Sequence, residues 1–254
     1  MTADEYVISI VNKYKLSQII SQEMQTKVVT PLSQVINNWA GDCLNKIEIS
    51  GSRAKGTAIS LATDLDLFIS LKSTTTDTLK EIYNSLYDTL ISKKITARKQ
   101  NVSIGVKYAG ADVDLVPAKR QDSHGNDHSL YRNKADTWTK TNVTTHINTV
   151  KNSNRTTEIV ATKIWRERFS LDFPSIYLEL TVIEALKGRH GNQPATNFMT
   201  FLDYLINNFL SKTVYDPANT NNIISEDLYK YEKEKIVKQA RESRNVSSWD
   251  DIIW

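Results

Sequence analysis

The chain has 254 residues, of which 40% are hydrophobic and 24% charged, and this composition predicts a folded protein with one large domain or two small ones. The formal net charge of +3 is too small to indicate a nucleic-acid-binding protein, and the single cysteine, Cys43, excludes an internal disulfide framework. No segment resembles a secretion signal or a membrane span of about 20 apolar residues, so we expect a cytoplasmic protein in a reducing compartment.

The first half of the chain alternates between helical and strand patterns. The spacing of its apolar residues predicts, in chain order, helices over 4–43, a strand at 46–50, a strand at 64–71, a helix over 77–92 and strands over 97–108 and 111–117. Pro31 is expected to open the second of the N-terminal helices, and Pro117 to end the last strand because proline cannot donate a hydrogen bond to a neighbouring strand.

The second half of the chain has a different character. Residues 119–145 are polar and predict a loop, and the remainder predicts only helices, over 153–169, 174–188, 196–211 and 225–244. Together these patterns predict an α+β fold, with N-terminal helices and a small mixed β-sheet in residues 1–145 and an all-helical lobe in residues 146–254.

Two pairs of aspartates lie on predicted strands. Asp64 and Asp66 are two residues apart, so both side chains leave the same face of their strand. Their burial is costly unless a cation neutralises them, and Mg²⁺ prefers such oxygen ligands together with substrate phosphates. Asp112 and Asp114, in the sequence ADVDLVPA, share a face of another strand, and either would complete a site for two ions about 4 Å apart.

The sequence GSRAKGT directly follows the strand predicted at 46–50. Gly51 allows the backbone to approach a ligand closely, and the backbone N–H groups and hydroxyl that begin at Ser52 are of the kind that hold phosphate. Arg53 and Lys55 add positive charge. An anion-binding turn therefore precedes the paired carboxylates, which predicts that the aspartates bind Mg²⁺ and that Mg²⁺ binds a nucleoside triphosphate.

The combination GSRAKGT…TDLDLF…VDLVPA resembles the nucleotidyltransferase superfamily that includes DNA polymerase β. Within it, the chain is most similar to the branch of 2′-5′ oligoadenylate synthetases and bacterial cyclic-oligonucleotide synthases (CD-NTases), since ATKIWRERF, FPSIYLELTVIEAL and DPANTNN follow in the order of that branch. The resemblance covers most of the chain. It implies a nucleotidyltransferase lobe and a helical lobe, with the active site in the cleft between them.

The resemblance also implies roles for individual residues. The catalytic and metal-binding carboxylates would be Asp64, Asp66 and Asp114, because Asp114 directly precedes the matching Leu-Val-Pro-Ala and Asp112 does not. The cofactor would be two Mg²⁺ ions, with Mn²⁺ as a substitute. The nucleotide would be bound by Gly51, Ser52, Lys55, Lys163, Ser175 and Tyr177. The family often has an aromatic residue directly after the serine, whereas this chain has Ile176 there and Tyr177 one position later.

The activity implied is Mg²⁺-dependent joining of nucleoside triphosphates, with release of pyrophosphate, into a short cyclic or linear oligonucleotide that serves as a bacterial antiphage signal. Its partners would be NTPs or dNTPs and an effector protein encoded nearby, with no membrane. Three alternatives stay open: template-independent addition of nucleotides to a tRNA or DNA end, modification of a partner protein, and nucleotide sensing without turnover. The modest net charge argues against a long nucleic-acid acceptor, and the three carboxylates argue against a sensor.

Other candidate residues carry less weight. His124 and His128 lie with Asp122 and Asp127 in the polar segment, where we favour a solvated loop over a metal site because no cysteine lies nearby. Serine, histidine and aspartate are all present, but no stretch resembles a nucleophile elbow, so we exclude a hydrolase.

Overall fold

The computed structural model describes residues 1–254 and confirms the α+β class. The helices are α1 Ala3–Tyr14, α2 Gln22–Met24, α3 Thr30–Ala40, α4 Gly51–Lys55, α5 Leu79–Ser92, α6 Val143–Asn152, α7 Thr156–Arg168, α8 Ser175–Ala185, α9 Pro194–Asn208 and α10 Lys230–Asn245. The strands are β1 Leu44–Ile49, β2 Leu65–Leu71, β3 Thr96–Lys99, β4 Ile104–Tyr108, β5 Ala111–Arg120, β6 His128–Arg132, β7 Thr137–Thr141, β8 Tyr215–Asp216 and β9 Asn219–Ile223. A π-helical stretch, Gln25–Val29, joins α2 to α3.

Seven strands form one mixed sheet in the order β1-β2-β5-β4-β3, with β6 paired to both β5 and β7. β2 and β5 are parallel, whereas all other neighbouring strands are antiparallel. Leu65, Leu67 and Ile69 of β2 are buried, as expected for a strand with a neighbour on each side. The parallel register places Asp66 of β2 opposite Asp114 of β5.

The chain divides into two compact units, each built from separate stretches of sequence. The helical unit comprises Met1–Leu16, Lys55–Ala62 and Asn148–Trp254, and the sheet unit comprises Ser17–Ala54 and Thr63–Ile147. This division differs from the predicted one at residue 145 because α1 and the stretch Lys55–Ala62 belong with the C-terminal helices.

Each unit has its own apolar core. In the sheet unit, Leu32 and Ile36 of α3 and Leu86 of α5 pack with the apolar residues of β2, β4 and β5. The core of the helical unit is rich in buried aromatic side chains, namely Trp165, Phe173, Tyr177, Phe198, Phe201 and Phe209. Burial of such large apolar side chains is the main contribution to the stability of a core.

The strand predicted over 97–108 is in fact two strands, β3 and β4, separated by a tight turn. Within that turn the Gln100 N–H donates a hydrogen bond to Ser103 O at 3.0 Å. The turn reverses the chain, so that Arg98 of β3 pairs with Gly105 of β4.

The prediction that Pro117 ends its strand is wrong, because β5 continues to Arg120. β4 pairs with β5 only as far as Leu115, and β6 pairs with it from Lys119 onward. Pro117 therefore lies where β5 has a register partner on the β2 side only, a position at which a strand tolerates proline.

The segment predicted as a loop over 119–145 contains the end of β5, the hairpin β6–β7 and the start of α6. His128 of β6 is buried, whereas His124 is exposed. His128 Nδ1 lies 2.8 Å from Asn126 O, and because a carbonyl only accepts, Nδ1 carries the proton and Nε2 accepts from the Ser70 hydroxyl at 2.8 Å. The solvated-loop prediction is thus wrong for His128, because hairpin pairing removes it from water.

The C-terminal half is helical as predicted, apart from the small hairpin β8–β9 at the DPANTNN sequence. Asp216 stabilises this hairpin: its Oδ1 accepts from Ala218 N at 2.8 Å and its Oδ2 accepts from Asn222 Nδ2 at 3.2 Å. None of the helices combines the length and the apolar composition needed to cross a bilayer.

Candidate active site

Three carboxylates lie at the start of the two parallel central strands. Asp66 on β2 and Asp114 on β5 are register partners, and neighbouring strands run about 4.8 Å apart. Asp64 lies directly before β2, two residues from Asp66, and is exposed, whereas the other two are half-buried. The parallel register sets Asp66 beside Asp114, and Asp64 lies two residues before Asp66.

Two effects act on the pKa of the Asp114 carboxyl in the same direction. Burial raises the pKa of its carboxyl, and the negative charge of Asp64 raises it further, while a hydrogen bond from Gln100 and the charge of Arg98 act in the opposite direction. Asp112, the alternative third carboxylate, is exposed on β5, and its Oδ1 lies 3.8 Å from Lys107 Nζ. Asp114 is therefore the half-buried aspartate of the pair, and Asp112 is the exposed one with a lysine partner.

Gly51 explains why a Gly-Ser pair precedes the aspartates by about a dozen residues. β1 pairs with β2, and the Ser50 N–H donates to Asp66 O at 2.9 Å, so the residue after Ser50 lies against Asp66. Gly51 has φ +56°, and a Cβ there would lie 1.8 Å from Asp66 Oδ2. Glycine is therefore required both for the backbone conformation and for room for the carboxylate. The predicted turn is the short helix α4, which also carries Ser52.

The donor set fits Mg²⁺ in its chemistry, since three carboxylates on adjacent strands are oxygen ligands of the kind that this ion prefers. No group of three or more aspartate, glutamate, histidine or cysteine side chains is gathered closely enough to hold an ion. The side chains of the three aspartates are therefore not drawn together as a ligand set in this structure. A pocket of about 390 Å³ opens beside Asp64 and Asp114, and its lining also includes Thr96, Arg98, Lys107 and Asp112.

In the helical unit, two of the predicted nucleotide-binding lysines share one buried carboxylate. Glu179 of α8 is fully buried; its Oε2 accepts from Lys55 Nζ at 2.8 Å and its Oε1 accepts from Lys163 Nζ at 2.6 Å. Thr57 Oγ1 lies 3.1 Å from Glu179 Oε1 and accepts from Lys163 Nζ at 2.9 Å. Two ammonium groups on one carboxylate leave one positive charge in excess.

Burial and charge act against each other in this cluster. Burial lowers the pKa of the Lys163 ammonium, although the charge of Glu179 opposes this effect. Burial by itself would raise the pKa of the Glu179 carboxyl, but the ammonium groups of Lys163 and Lys55 outweigh it and hold that pKa well below its ordinary value. Glu179 is therefore ionised, and its charge is balanced within the cluster by the two lysines.

Ser175, at the start of α8, is exposed. Arg166 Nη1 donates to Ser175 Oγ at 2.9 Å and to Phe173 O at 2.9 Å. Because a guanidinium only donates, Ser175 Oγ accepts this hydrogen bond and its own O–H remains available to donate to another group.

The prediction that Tyr177 binds the nucleotide is wrong, because the structure buries its ring completely. Tyr177 stacks on Phe209, with ring centroids 5.0 Å apart, and meets Phe173 edge-on at 5.2 Å. It lies one turn from the buried Thr181, on the inner face of α8. A ring already packed on aromatic neighbours cannot stack on a base.

Sequence reasoning missed several residues that hold the site together. Glu179 stands in the apolar run SIYLELTVI, and a lone charge in such a run is a signal of a buried ion pair. Thr57, Gln100 and Gly105 carry no such signal, because their roles depend on residues brought near them by the sheet and by the helices.

The comparisons with known proteins identify the family and the fold. The sequence profile of the Second Messenger Oligonucleotide or Dinucleotide Synthetase (SMODS) domain matches residues 1–154, a range that includes all three carboxylates. No curated protein matches the chain in sequence.

Several solved structures are similar in fold. They include CdnC from E. coli MS115-1 in a complex with HORMA-deltaN, at 17% identity and a TM-score of 0.74, covering 94% of this chain and 89% of that chain. The CdnE cyclic dinucleotide synthase of Elizabethkingia meningoseptica, with GTP and Apcpp, gives 11% identity, a TM-score of 0.71 and coverages of 97% and 100%. The Cid1 poly(U) polymerase bound to MgATP has 12% identity and a TM-score of 0.66, and the match covers 97% of this chain and 95% of that chain. At these identities the similarity shows the fold alone.

Proposed function

The chain belongs to the SMODS family, within the CD-NTase branch of the polymerase β-like nucleotidyltransferases, and we propose that it joins nucleoside triphosphates into a short cyclic or linear oligonucleotide. The observation that carries the proposal is the alignment of Asp66 with Asp114 on parallel strands, with Asp64 beside them. A protein that only bound a nucleotide would not need three carboxylates at one strand edge, where their mutual repulsion is a cost.

We propose that Asp64, Asp66 and Asp114 hold two Mg²⁺ ions. When bound, these ions supply positive charge that offsets the charge of the triphosphate and of the leaving pyrophosphate. The acceptor hydroxyl loses its proton to Asp114, its oxygen forms a bond to the α-phosphorus, and the bond from that phosphorus to the bridging oxygen breaks as pyrophosphate leaves. Catalysis then comes chiefly from positioning and from charge, as in other phosphoryl transfers.

The triphosphate is held, in this proposal, by backbone N–H groups, ammonium groups and a hydroxyl. Gly51 and Ser52 offer backbone N–H groups, and Lys55 and Lys163 offer the excess positive charge of the cluster around Glu179. Ser175 donates the O–H that its hydrogen bond from Arg166 leaves available. Charge supports these roles for Lys55 and Lys163, hydrogen-bond direction supports the role of Ser175, and the family resemblance supports all of them.

The acceptor and the biological role are parts of the same proposal. The similarity to a cyclic dinucleotide synthase favours a second nucleotide as the acceptor, and the similarity to the Cid1 poly(U) polymerase keeps the end of a nucleic acid as the second candidate. The CdnC structure with HORMA-deltaN supports a regulatory or effector protein as a partner. We place the enzyme in the bacterial cytoplasm, in antiphage defence.

The test is mass spectrometry of the products after the purified protein has been incubated with all four NTPs, or all four dNTPs, and Mg²⁺ or Mn²⁺. Short oligonucleotides made by the wild type and absent with Asp64→Ala would support the proposal and identify the bases and the sugar. Nucleotide consumption only after addition of tRNA, DNA or a partner protein would support the second candidate or protein modification. Tight NTP binding with no turnover in any of these mixtures would overturn both.

A further inference from the structure

Asp114 is held from one side by the turn between β3 and β4. Gln100 Nε2 donates to Asp114 Oδ1 at 3.1 Å, and the Ser103 hydroxyl donates to Gln100 Oε1. A carboxylate only accepts, so the NH₂ end of the Gln100 amide must face Asp114. Gln100 therefore holds Asp114 Oδ1, and the Ser103 hydroxyl of the same turn also interacts with the Asp114 carboxyl.

The turn is itself anchored to α5. Tyr83 is 1% exposed, and its hydroxyl lies 2.8 Å from Gln100 O and 2.9 Å from Ser103 O, to which it donates. Burial raises the pKa of Tyr83 to about 12, so the hydroxyl keeps the proton that it donates. A side chain on an anchored turn holds its partner more firmly than one on a free loop.

Gly105 has no side chain, and this leaves room for the Gln100 amide to reach Asp114 over β4. Gly105 pairs with Arg98 on one side and with Asp114 on the other, so the three positions form a row across the sheet. A Cβ at Gly105 would lie 2.7 Å from Gln100 Nε2, 3.1 Å from Arg98 Nε and 3.2 Å from Asp114 Oδ1. The φ of Gly105 lies outside the left-handed region, so glycine is needed here for space and not for backbone conformation.

We propose that Gln100 is the positioning residue of Asp114, and that Gly105 is a glycine because any side chain there would displace the Gln100 amide. By fixing Oδ1, the amide would leave Oδ2 as the oxygen that contacts a bound metal ion or the acceptor hydroxyl. This inference rests on the proposed function of Asp114. Partners that orient metal-binding side chains typically account for about 10–100-fold in metal affinity or activity.

The first test is Gln100→Ala. At saturating Mg²⁺ we expect kcat to fall about 10–100-fold while the KM for the NTP stays within twofold, because the residue acts through Asp114 and does not touch the triphosphate. We also expect a weaker affinity for Mn²⁺ alone, measured without nucleotide from the electron paramagnetic resonance signal of the free ion. Gln121→Ala is the matched control, since Gln121 is exposed and its amide donates to the Ser129 hydroxyl at 3.2 Å.

The second test is a double-mutant cycle between Gln100→Ala and Gly105→Ala. If the new Cβ acts by displacing the amide, Gly105→Ala lowers kcat by itself but adds no further loss to Gln100→Ala. Additive losses would overturn the role of Gly105, and wild-type kcat and Mn²⁺ affinity in Gln100→Ala would overturn the inference as a whole. If Gly105→Ala does not fold, Gln100→Ala decides alone. A wild type without turnover contradicts the proposed function, and Mn²⁺ affinity then still decides whether Gln100 positions Asp114.

Discussion

Gly51 must be glycine for two reasons, its backbone conformation and its closeness to the Asp66 carboxylate. Its positive φ favours glycine in any protein, but its contact with Asp66 is particular to this site. Gly110, in the turn between β4 and β5, also has a positive φ, of +81°, and a Cβ there would meet nothing within 4 Å. Substitution of Gly110 therefore measures the free-energy cost of the backbone conformation alone. Substitution of Gly51 measures that cost together with the steric clash against Asp66.

We predict that Gly51→Ala abolishes turnover and lowers the free energy of unfolding by more than the conformational cost alone, which is about 1–2 kcal/mol for an alanine in this region. Gly110→Ala should show only that conformational cost and keep wild-type turnover. Urea unfolding and pyrophosphate release measure the two effects. Equal destabilisation by the two variants, with turnover preserved in both, would show that Gly51 does not make room for Asp66.

His128 makes the stability of the sheet unit depend on pH. Burial lowers its pKa below the ordinary 6.5; the charges of Arg120 and Lys46 act in the same direction, while the hydrogen bond to Asn126 O and the charge of Glu48 oppose them. The unfolded chain thus binds the His128 proton at a higher pH than the folded protein does. The stabilisation is complete above about pH 6.5 and is lost as the pH falls toward the folded-state pKa.

We predict that His128→Asn reduces the slope of unfolding free energy against pH between pH 8 and pH 5.5, as measured by urea titration at each pH. The free-energy difference between wild type and variant should shrink as the pH falls. The matched control is His124→Asn, at an exposed position, which should leave the slope unchanged. A wild-type-to-variant difference that stays constant over this pH range would contradict the account.

At the scale of elements, the cluster around Glu179 joins α7, α8 and the stretch Lys55–Ala62. Lys163 comes from α7, Glu179 from α8, and Lys55 and Thr57 from the end of α4 and beyond it. All four side chains are buried. Removing the carboxylate would leave two ammonium groups buried without a counter-charge, and such a loss is typically far more costly than the loss of an exposed ion pair.

We predict that Glu179→Ala lowers the free energy of unfolding by about 3–5 kcal/mol, measured by urea unfolding. Glu184→Ala on the same helix is the control: Glu184 Oε1 lies 3.3 Å from Lys212 Nζ in a pair that is half-exposed, and its loss should cost less than about 1 kcal/mol. Similar costs for the two variants would show that the buried cluster does not join the helices.

Local pattern was enough to predict some elements and not others. β2 and α5 were predicted nearly to their ends because their apolar residues repeat at strand and helix spacing. The hairpin β6–β7 and the turn after β3 were missed because their side chains are mostly polar, and pairing partners, not composition, determine them. Tyr177 was misassigned for a related reason: a family motif locates a helix, but only packing shows which face of that helix is buried.

At the scale of the whole molecule, the carboxylates could be predicted because two residues on one strand always share a face, and their partner strand carried its own aspartate. Which segments of the chain belong to each of the two units could not be predicted from the sequence. The buried Val7 and Val11 of α1 reveal an apolar face, but nothing in that face identifies α7 and α9 as the helices that cover it. Glu179 and Gln100 were missed for the same reason, since each acts on residues far away in the sequence.

The measurement that most directly tests the central claim is the initial rate of pyrophosphate release from NTPs by three proteins: the wild type, Asp114→Asn and Asp112→Asn. Both aspartates lie on β5, two residues apart, but Asp114 is half-buried beside the charge of Asp64, whereas Asp112 is exposed and pairs with Lys107. The account predicts wild-type turnover for Asp112→Asn and loss of at least about 1,000-fold for Asp114→Asn, because charge at the reacting phosphate supplies most of the catalysis. Turnover retained by Asp114→Asn, or lost equally in both variants, would contradict it.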